Sequence, residues 1–144
     1  MTDEQAAAGP RVFSQLIGQE AVVDQLSRAV RAARDRSGAA GASGMTHAWL
    51  FTGPPGSGRS VAARDFAAAL LCDRQGCGEC PSCRQVEVGS HADLLLVRPD
   101  GLSYGVKQTR ELVLRAAGAP SGGRWRVVLF EDADRCTEIG RAHV

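Results

Sequence analysis

The sequence is almost without lysine, because Lys107 is the single lysine among 17 basic residues and the rest are arginines. The basic residues are balanced by 16 acidic ones, which leaves a formal net charge of +1. A protein that binds nucleic acid by itself usually carries a clear excess of positive charge. The total charge therefore argues against a strongly electropositive nucleic-acid-binding domain.

Long apolar runs are also missing. No window approaches the roughly 20 consecutive apolar residues of a membrane-spanning helix, so we expect no membrane association. Residues 1–10 lack the basic start and apolar core of a secretory signal, and we expect a disordered lead-in there. The chain of 144 residues is 44% hydrophobic and 23% charged, which is typical of one globular domain or part of a larger one.

Hydrophobic periodicity predicts alternating helices and strands. An amphipathic helix is predicted within 13–34, and further helices at 60–72, 84–89 and 107–117. Buried strands are predicted for the short apolar runs at 47–52, 92–98 and 126–130. Such strands alternating with helices predict an α/β fold with a parallel sheet flanked by helices.

A glycine-rich loop follows the first predicted strand and opens the helix at 60–72. It matches the P-loop pattern G-x-x-x-x-G-[K/R]-S with Gly53, Pro54, Pro55, Gly56, Ser57, Gly58, Arg59 and Ser60. Glycines let backbone N–H groups turn toward a phosphate, and the helix N-terminus adds positive potential. The hydroxyl of Ser60 stands where a Mg²⁺ ligand is needed. The pattern predicts a site for ATP and Mg²⁺, against the alternative of a turn without a ligand.

Arg59 departs from the usual P-loop, which has lysine at this position. A lysine ammonium is a compact charge that reaches the β- and γ-phosphates, whereas a guanidinium is a bulky planar fork. We therefore expect that nucleotide binding is compatible with Arg59 but that hydrolysis is not, unless the arginine reflects only the general replacement of lysine in this chain.

The third predicted strand ends in two acids, Glu131 and Asp132. An apolar strand that delivers acids to the carboxyl edge of a parallel sheet resembles a Walker B strand, whose acids hold Mg²⁺ and polarise the attacking water. The order Glu-Asp is the reverse of the usual Asp-Glu, which adds to the argument against hydrolysis. We predict no catalytic residue in this chain.

Four cysteines lie within twelve residues, namely Cys72, Cys77, Cys80 and Cys83. Without a secretion signal, such a cluster indicates a metal site rather than disulfides. Tetrahedral Zn²⁺ takes four thiolates, and C-x2-C spacings let neighbouring thiolates share one ion, so a closed structural zinc site is predicted. An iron–sulfur cluster and unliganded thiols are the alternatives.

Several segments resemble a known family in the same order along the chain. Residues 13–20 (FSQLIGQE) resemble the opening box of AAA+ clamp-loader ATPases, and 47–60 resembles their P-loop strand and loop. The cysteine insertion after the P-loop helix is similar to the zinc module of bacterial DNA polymerase III clamp-loader subunits. The segments 91–94, 110–112 and 127–134 fit the same family, so the resemblance covers residues 12–137.

The resemblance implies an AAA+ P-loop domain with a Cys₄ zinc module at about residues 72–83. It implies a role in DNA replication, in loading the ring-shaped sliding clamp onto primed DNA. The implied partners are the other clamp-loader subunits, gamma/tau and delta, together with the sliding clamp and primer–template DNA. The implied location is the bacterial cytoplasm, at the replisome on the nucleoid.

Arg59 and the Glu131-Asp132 order resemble the delta-prime type of subunit rather than the gamma/tau motor. The resemblance then implies a non-hydrolysing subunit of a DNA-directed DNA polymerase holoenzyme. Two alternatives remain. One is a gamma/tau-like ATPase motor, and the other is a stand-alone zinc-bearing nucleic-acid-binding module with salt-sensitive DNA binding.

The resemblance also implies that the chain is truncated. Family members continue with the rest of the sheet, a helical lid and a helical collar, so 11–137 is expected to be a partial AAA+ domain. Residues 138–144 depart from the family pattern and resemble one reading frame of a sequencing-adapter oligonucleotide. We expect this tail to be artefactual and assign no function to it.

Overall fold

The elements of the computed structural model are helices α1 (Glu20–Arg34), α2 (Arg59–Leu71), α3 (Pro81–Val88) and α4 (Val106–Ala116), and strands β1 (Leu94–Val97) and β2 (Val127–Phe130). Short 3-10 helices lie at Arg11–Gln15 and Ala133–Arg135. The structure describes residues 9–34, 45–98, 105–122 and 125–135. The chain divides after Val88 into two compact units, each of which is described by itself.

The first unit has a core between α1, α2 and the first 3-10 helix. Its buried residues are Phe13, Leu26, Ala29, Val30, Phe66 and Ala69. The helical spacing predicted within 13–34 is confirmed from Glu20 onward, because the buried positions of α1 recur on one face. Before Glu20 the chain instead forms the 3-10 helix Arg11–Gln15. A turn follows, in which Gly18 has a left-handed backbone.

The prediction of a strand at 47–52 is wrong, because the structure describes these residues and shows no strand among them. Its side chains do alternate, since Trp49 and Phe51 pack on the core whereas Leu50 is 79% exposed. The Trp49 ring meets Phe66 edge to face, with ring centroids 5.2 Å apart. A strand is defined by pairing with a neighbour, and the part of the chain described here pairs only β1 with β2.

Helix α2 buries a carboxylate beside the core. Asp65 is 8% exposed, and the Gln15 amide donates hydrogen bonds of 3.0 Å to both of its oxygens. The contact joins the first 3-10 helix to α2. It satisfies the buried oxygens but supplies no positive charge to offset the lost hydration.

The second unit is built on β1 and β2, which pair in parallel in the register Leu94↔Val127 through Val97↔Phe130. Buried Val97 and Leu112 pack together, so α4 covers this small sheet. The parallel pairing and the helix between the strands confirm the predicted α/β arrangement for this part of the chain. The described residues do not show the larger sheet of a P-loop fold.

Asp93 fixes the turn that leads into β2. This buried carboxylate accepts hydrogen bonds from the backbone N–H groups of Ser121 and Gly122, at 2.5 and 3.3 Å. The same bonds lower the pKa of the Asp93 carboxyl, the one from Ser121 most strongly. The side chain therefore holds the turn most firmly when it is ionised.

Element boundaries deviate little from the prediction elsewhere. Helix α3 begins at Pro81 rather than 84, because the fixed φ of proline suits the first position of a helix. The described helices include none that is long and apolar enough to cross a bilayer. The predicted lead-in up to residue 8 and the predicted tail 138–144 lie outside the described residues.

Asp65 makes the stability of the first unit depend on pH. Burial raises the pKa of this carboxyl to about 6, although the Gln15 hydrogen bond and Arg64 act in the opposite direction. An acid with a raised folded-state pKa stabilises the fold below its unfolded value and loses that contribution as the pH rises through 6. We expect Asp65→Asn to raise the free energy of unfolding by about 1–3 kcal/mol at pH 8 and by much less at pH 4.

Urea denaturation of Asp65→Asn at the two pH values measures this difference. Asp24→Asn, on the exposed side of α1 where Asp24 pairs with Arg28 at 2.6 Å, is the control for a carboxylate outside the core and should bring no gain in stability at pH 8. An equal gain for Asp65→Asn at both pH values would contradict the account of Asp65.

Candidate metal centre and phosphate-binding loop

Four cysteine sulfurs converge where α2 ends and α3 begins. Cys72 directly follows α2, Cys83 lies in the first turn of α3, and Cys77 and Cys80 lie in the loop between them. The sulfurs all lie within 4.8 Å of one another, and that of Cys72 is 3.7 Å from Cys77 and 3.6 Å from Cys80. Four sulfurs at about 2.3 Å from a central ion form a tetrahedron with edges of about 3.8 Å. The spacing therefore fits a tetrahedral metal ion.

Backbone amides point at the sulfurs. Such N–H···S contacts of 3.3–3.4 Å are donated by Arg74, Gly78, Glu79, Cys80 and Cys83. Amide donors stabilise the thiolate rather than the thiol, because a thiolate is the stronger acceptor. The loop is thus arranged around sulfur anions, which is the form that binds metal.

The surroundings shift the pKa values of the cysteine thiols in opposite directions. Amides of Glu79 and Cys80 lower the pKa of the Cys77 thiol to about 6, whereas burial, with the neighbouring thiolate of Cys72, raises that of Cys83. Buried thiolates repel one another, so all four cannot ionise together without a compensating charge. A divalent cation supplies that charge, and the donor set of four sulfurs fits a soft or borderline ion such as Zn²⁺.

Two glycines give the loop its shape. Gly76 and Gly78 have φ of +90° and +80°, a left-handed conformation that other residues adopt at a cost. A Cβ on Gly76 would lie 2.7 Å from a Val12 methyl and 3.2 Å from Ala69. The Val12 amide also donates a hydrogen bond of 3.1 Å to the Gly76 carbonyl. The cysteine loop is therefore pressed against the first 3-10 helix.

Arg34 caps the end of α2 from the last turn of α1. Its guanidinium donates to the carbonyls of Asp73 at 2.8 Å, of Cys72, and of Ala69 at 3.5 Å. Carbonyls at a helix C-terminus lack intrahelical donors, and a cation there is favourable to the helix dipole. Arg34 thereby fixes the backbone from which the first ligand, Cys72, projects. The sequence did not predict this role, because an arginine at a helix end gives no indication of which distant carbonyl groups it binds.

The P-loop residues Gly53–Ser60 form an exposed turn at the start of α2. The Ser57 amide donates to the Pro54 carbonyl at 3.1 Å, and Gly58, the N-cap, is left-handed with φ of +90°. No side chain caps this helix terminus, and its first turn carries no acid. The geometry is that of a helix N-terminus open to an anion, with Arg59 and Ser60 both exposed beside it.

The predicted acid pair belongs to the second unit, at the end of β2. The Glu131 carboxylate is bound by Arg98, whose Nε lies 2.9 Å from Oε2. Asp132 is exposed and has a left-handed backbone, with φ of +51°. Arg98 was missed from the sequence, although it is the residue that follows β1 and its place beside Glu131 follows from the register.

Comparison with known proteins places most of the chain in one family. Residues 19–141 match the family model described as DNA polymerase III, delta subunit. The chain belongs to this family. Because the match spans most of the chain, it assigns the chain to the clamp-loader type of DNA polymerase III subunit, the coarser part of the resemblance noted above.

Individual relatives carry other subunit names. The chain is 36% identical over 137 residues to DNA polymerase III subunit gamma/tau of Mycobacterium tuberculosis, with 91% of this chain and 22% of the relative aligned. It is 31% identical to subunit tau of Escherichia coli over 127 residues, 85% of this chain and 18% of the relative. Protein STICHEL-like 1 of Arabidopsis thaliana is 32% identical over 130 residues, 85% of this chain and 11% of that protein. The chain thus spans about a fifth of the length of the two bacterial relatives and about a tenth of the plant protein.

Gly76 offers a test of the loop geometry. We expect Gly76→Ala to lower the free energy of unfolding of the zinc-loaded protein by about 2–4 kcal/mol, because the left-handed backbone and the contact with Val12 both oppose a Cβ. Its zinc should also pass more readily to a chelator. Urea denaturation and chelator competition measure the two effects.

Gly18→Ala is the matched control, because Gly18 has φ of +77° but nothing within 4 Å of its Cβ position. This variant should lose only the backbone contribution, about 1–2 kcal/mol, and keep its affinity for zinc. Equal losses in the two variants would show that the Cys loop does not press on the 3-10 helix as described.

Proposed function

We propose that this chain is the nucleotide-loop and zinc-module part of a delta-prime-like clamp-loader subunit. In this role it helps to load the sliding clamp onto primed DNA during replication without hydrolysing ATP. Its partners are the gamma/tau and delta subunits, the sliding clamp and primer–template DNA, in the bacterial cytoplasm. The observation that carries the proposal is the Cys₄ cluster at one end of a helix whose other end bears a P-loop, in a chain of this family.

Zinc is the proposed occupant of the cysteine cluster, bound by Cys72, Cys77, Cys80 and Cys83. All four positions of the tetrahedron are filled by sulfur, which leaves none for water or substrate. The site is therefore structural, and the ion joins α2 to α3 rather than taking part in a reaction. The sulfur spacing of 3.6–3.7 Å supports a single ion rather than the larger iron–sulfur cluster.

The proposed nucleotide site binds ATP without hydrolysing it. Gly53, Gly56 and Gly58 give the loop the turns with which backbone amides surround phosphate, and Ser57 and Ser60 lie beside them. Arg59 is exposed in the place of the P-loop lysine, and a guanidinium can pair with phosphate but does not reproduce the reach of an ammonium. Binding of ATP without turnover would suit a subunit that stabilises the assembly while its neighbours hydrolyse.

A gamma/tau-like ATPase is the second candidate. The specific observation in its favour is the identity of 36% and 31% to subunits that carry the gamma/tau and tau names. Under this alternative Arg59 would serve as the phosphate-loop cation, and the full-length protein would hydrolyse ATP. Arg59 and the occupied carboxylate of Glu131 favour the delta-prime type.

The two candidates differ in ATP turnover. The full-length protein is to be assembled with gamma/tau, delta and the sliding clamp, and ATP hydrolysis and loading of clamp onto primed DNA are measured. We expect this subunit to be required for loading while showing no hydrolysis by itself. We expect Arg59→Lys to leave loading unchanged within about twofold, because the subunit contributes structure rather than chemistry.

Arg64→Lys, on the same helix but outside the loop, is the control for a general effect of the substitution. Substantial hydrolysis by the unaltered subunit alone would support the hypothesis of a gamma/tau-like ATPase and contradict that of a delta-prime-like subunit. Full clamp loading without this subunit would exclude both.

A further inference from the structure

A cationic side chain, that of Arg98, lies beside the acid that ends β2. In a Walker B strand, the acid at this position holds a metal ion. The register pairs Val97 with Phe130, and the ladder continues because the Glu131 amide donates to the Val97 carbonyl at 3.0 Å. Arg98 is therefore the direct neighbour of Glu131 on the parallel strand. Its Nε lies 2.9 Å from a carboxylate oxygen of Glu131, a charge-assisted hydrogen bond.

This contact is supported by the surroundings of the two residues. The Glu131 side chain is only 22% exposed, so its charge is partly removed from water and gains from a nearby cation. The backbone of Arg98 is held by Gln108 on α4, whose amide donates to the Arg98 carbonyl at 2.6 Å. The arginine thus stands on a backbone fixed by both the sheet and the helix that covers it.

A magnesium ion does not fit this arrangement. Mg²⁺ is held through carboxylates, but one of the two carboxylate oxygens of Glu131, Oε2, already accepts a hydrogen bond from the guanidinium. The positive charge of Arg98, whose side chain is 63% exposed beside Glu131, also repels a dication that approaches the carboxylate. The second acid, Asp132, lies in a left-handed turn beyond the strand and is exposed.

We infer that Arg98 acts as a built-in counter-ion of Glu131, so that the acid at the end of β2 does not bind Mg²⁺. The inference rests on the proposed function and deepens it, because it names a residue that keeps Mg²⁺ from the acid at the end of β2. It predicts that removing Arg98 releases the carboxylate of Glu131 for a metal.

The test uses Mn²⁺ as an Mg²⁺ probe, with binding to the full-length protein followed by electron paramagnetic resonance in the absence of nucleotide. We expect Arg98→Ala to bind Mn²⁺ about threefold to tenfold more tightly than the unaltered protein, because a repulsive charge is removed and a carboxylate is released. Arg98→Lys keeps the charge and should resemble the unaltered protein. The double variant Arg98→Ala/Glu131→Gln should lose the gain, and Arg110→Ala, an exposed arginine on α4, should show none.

The result that overturns the inference is equal Mn²⁺ affinity in the unaltered protein and Arg98→Ala, or a gain that survives Glu131→Gln. The titration contains no nucleotide, so its result decides the role of Arg98 whether or not the proposed nucleotide site exists.

Discussion

The meeting of four sulfurs is the interaction on which the first unit depends. A loop of nine residues separates α2 from α3, and it contains left-handed backbone at Gln75, Gly76 and Gly78. Such a loop has few apolar side chains to bury, so its own packing cannot offset the conformational entropy of ordering it. The metal ion that we propose for the four sulfurs would offset this cost by joining the two helices directly through Cys72 and Cys83.

Helix α2 links the two candidate sites. Its N-terminus follows the predicted P-loop and its C-terminus precedes the first cysteine, while its middle supplies Phe66 and Ala69 to the core. Arg34, in the last turn of α1, binds carbonyl groups at the end of the helix, and α1 therefore helps to fix the position of Cys72. The helix that begins at the predicted phosphate-binding loop is therefore held at its opposite end by the guanidinium of Arg34, next to the cysteine cluster.

The sequence predicted the local features well and the long-range contacts poorly. The cysteine spacing and the apolar runs around Leu94 and Val127 depend on neighbours in the chain, and the structure agrees with them. The segment 47–52 has the alternation of a strand, but strand formation requires a partner that alternation cannot supply. Arg98 and Arg34 act on groups far away in sequence, at Glu131 and Asp73, and no pattern in one sequence predicts such a partner.

We propose above all that one zinc ion, bound by four thiolates, holds α2 and α3 together. X-ray absorption at the zinc edge of the full-length protein tests it most directly, combined with metal analysis of the same sample. The account predicts one zinc per chain with four sulfur neighbours at about 2.3 Å and no nitrogen or oxygen ligand. A mixed ligand shell, iron in place of zinc, or a metal-free protein that keeps both helices would contradict it.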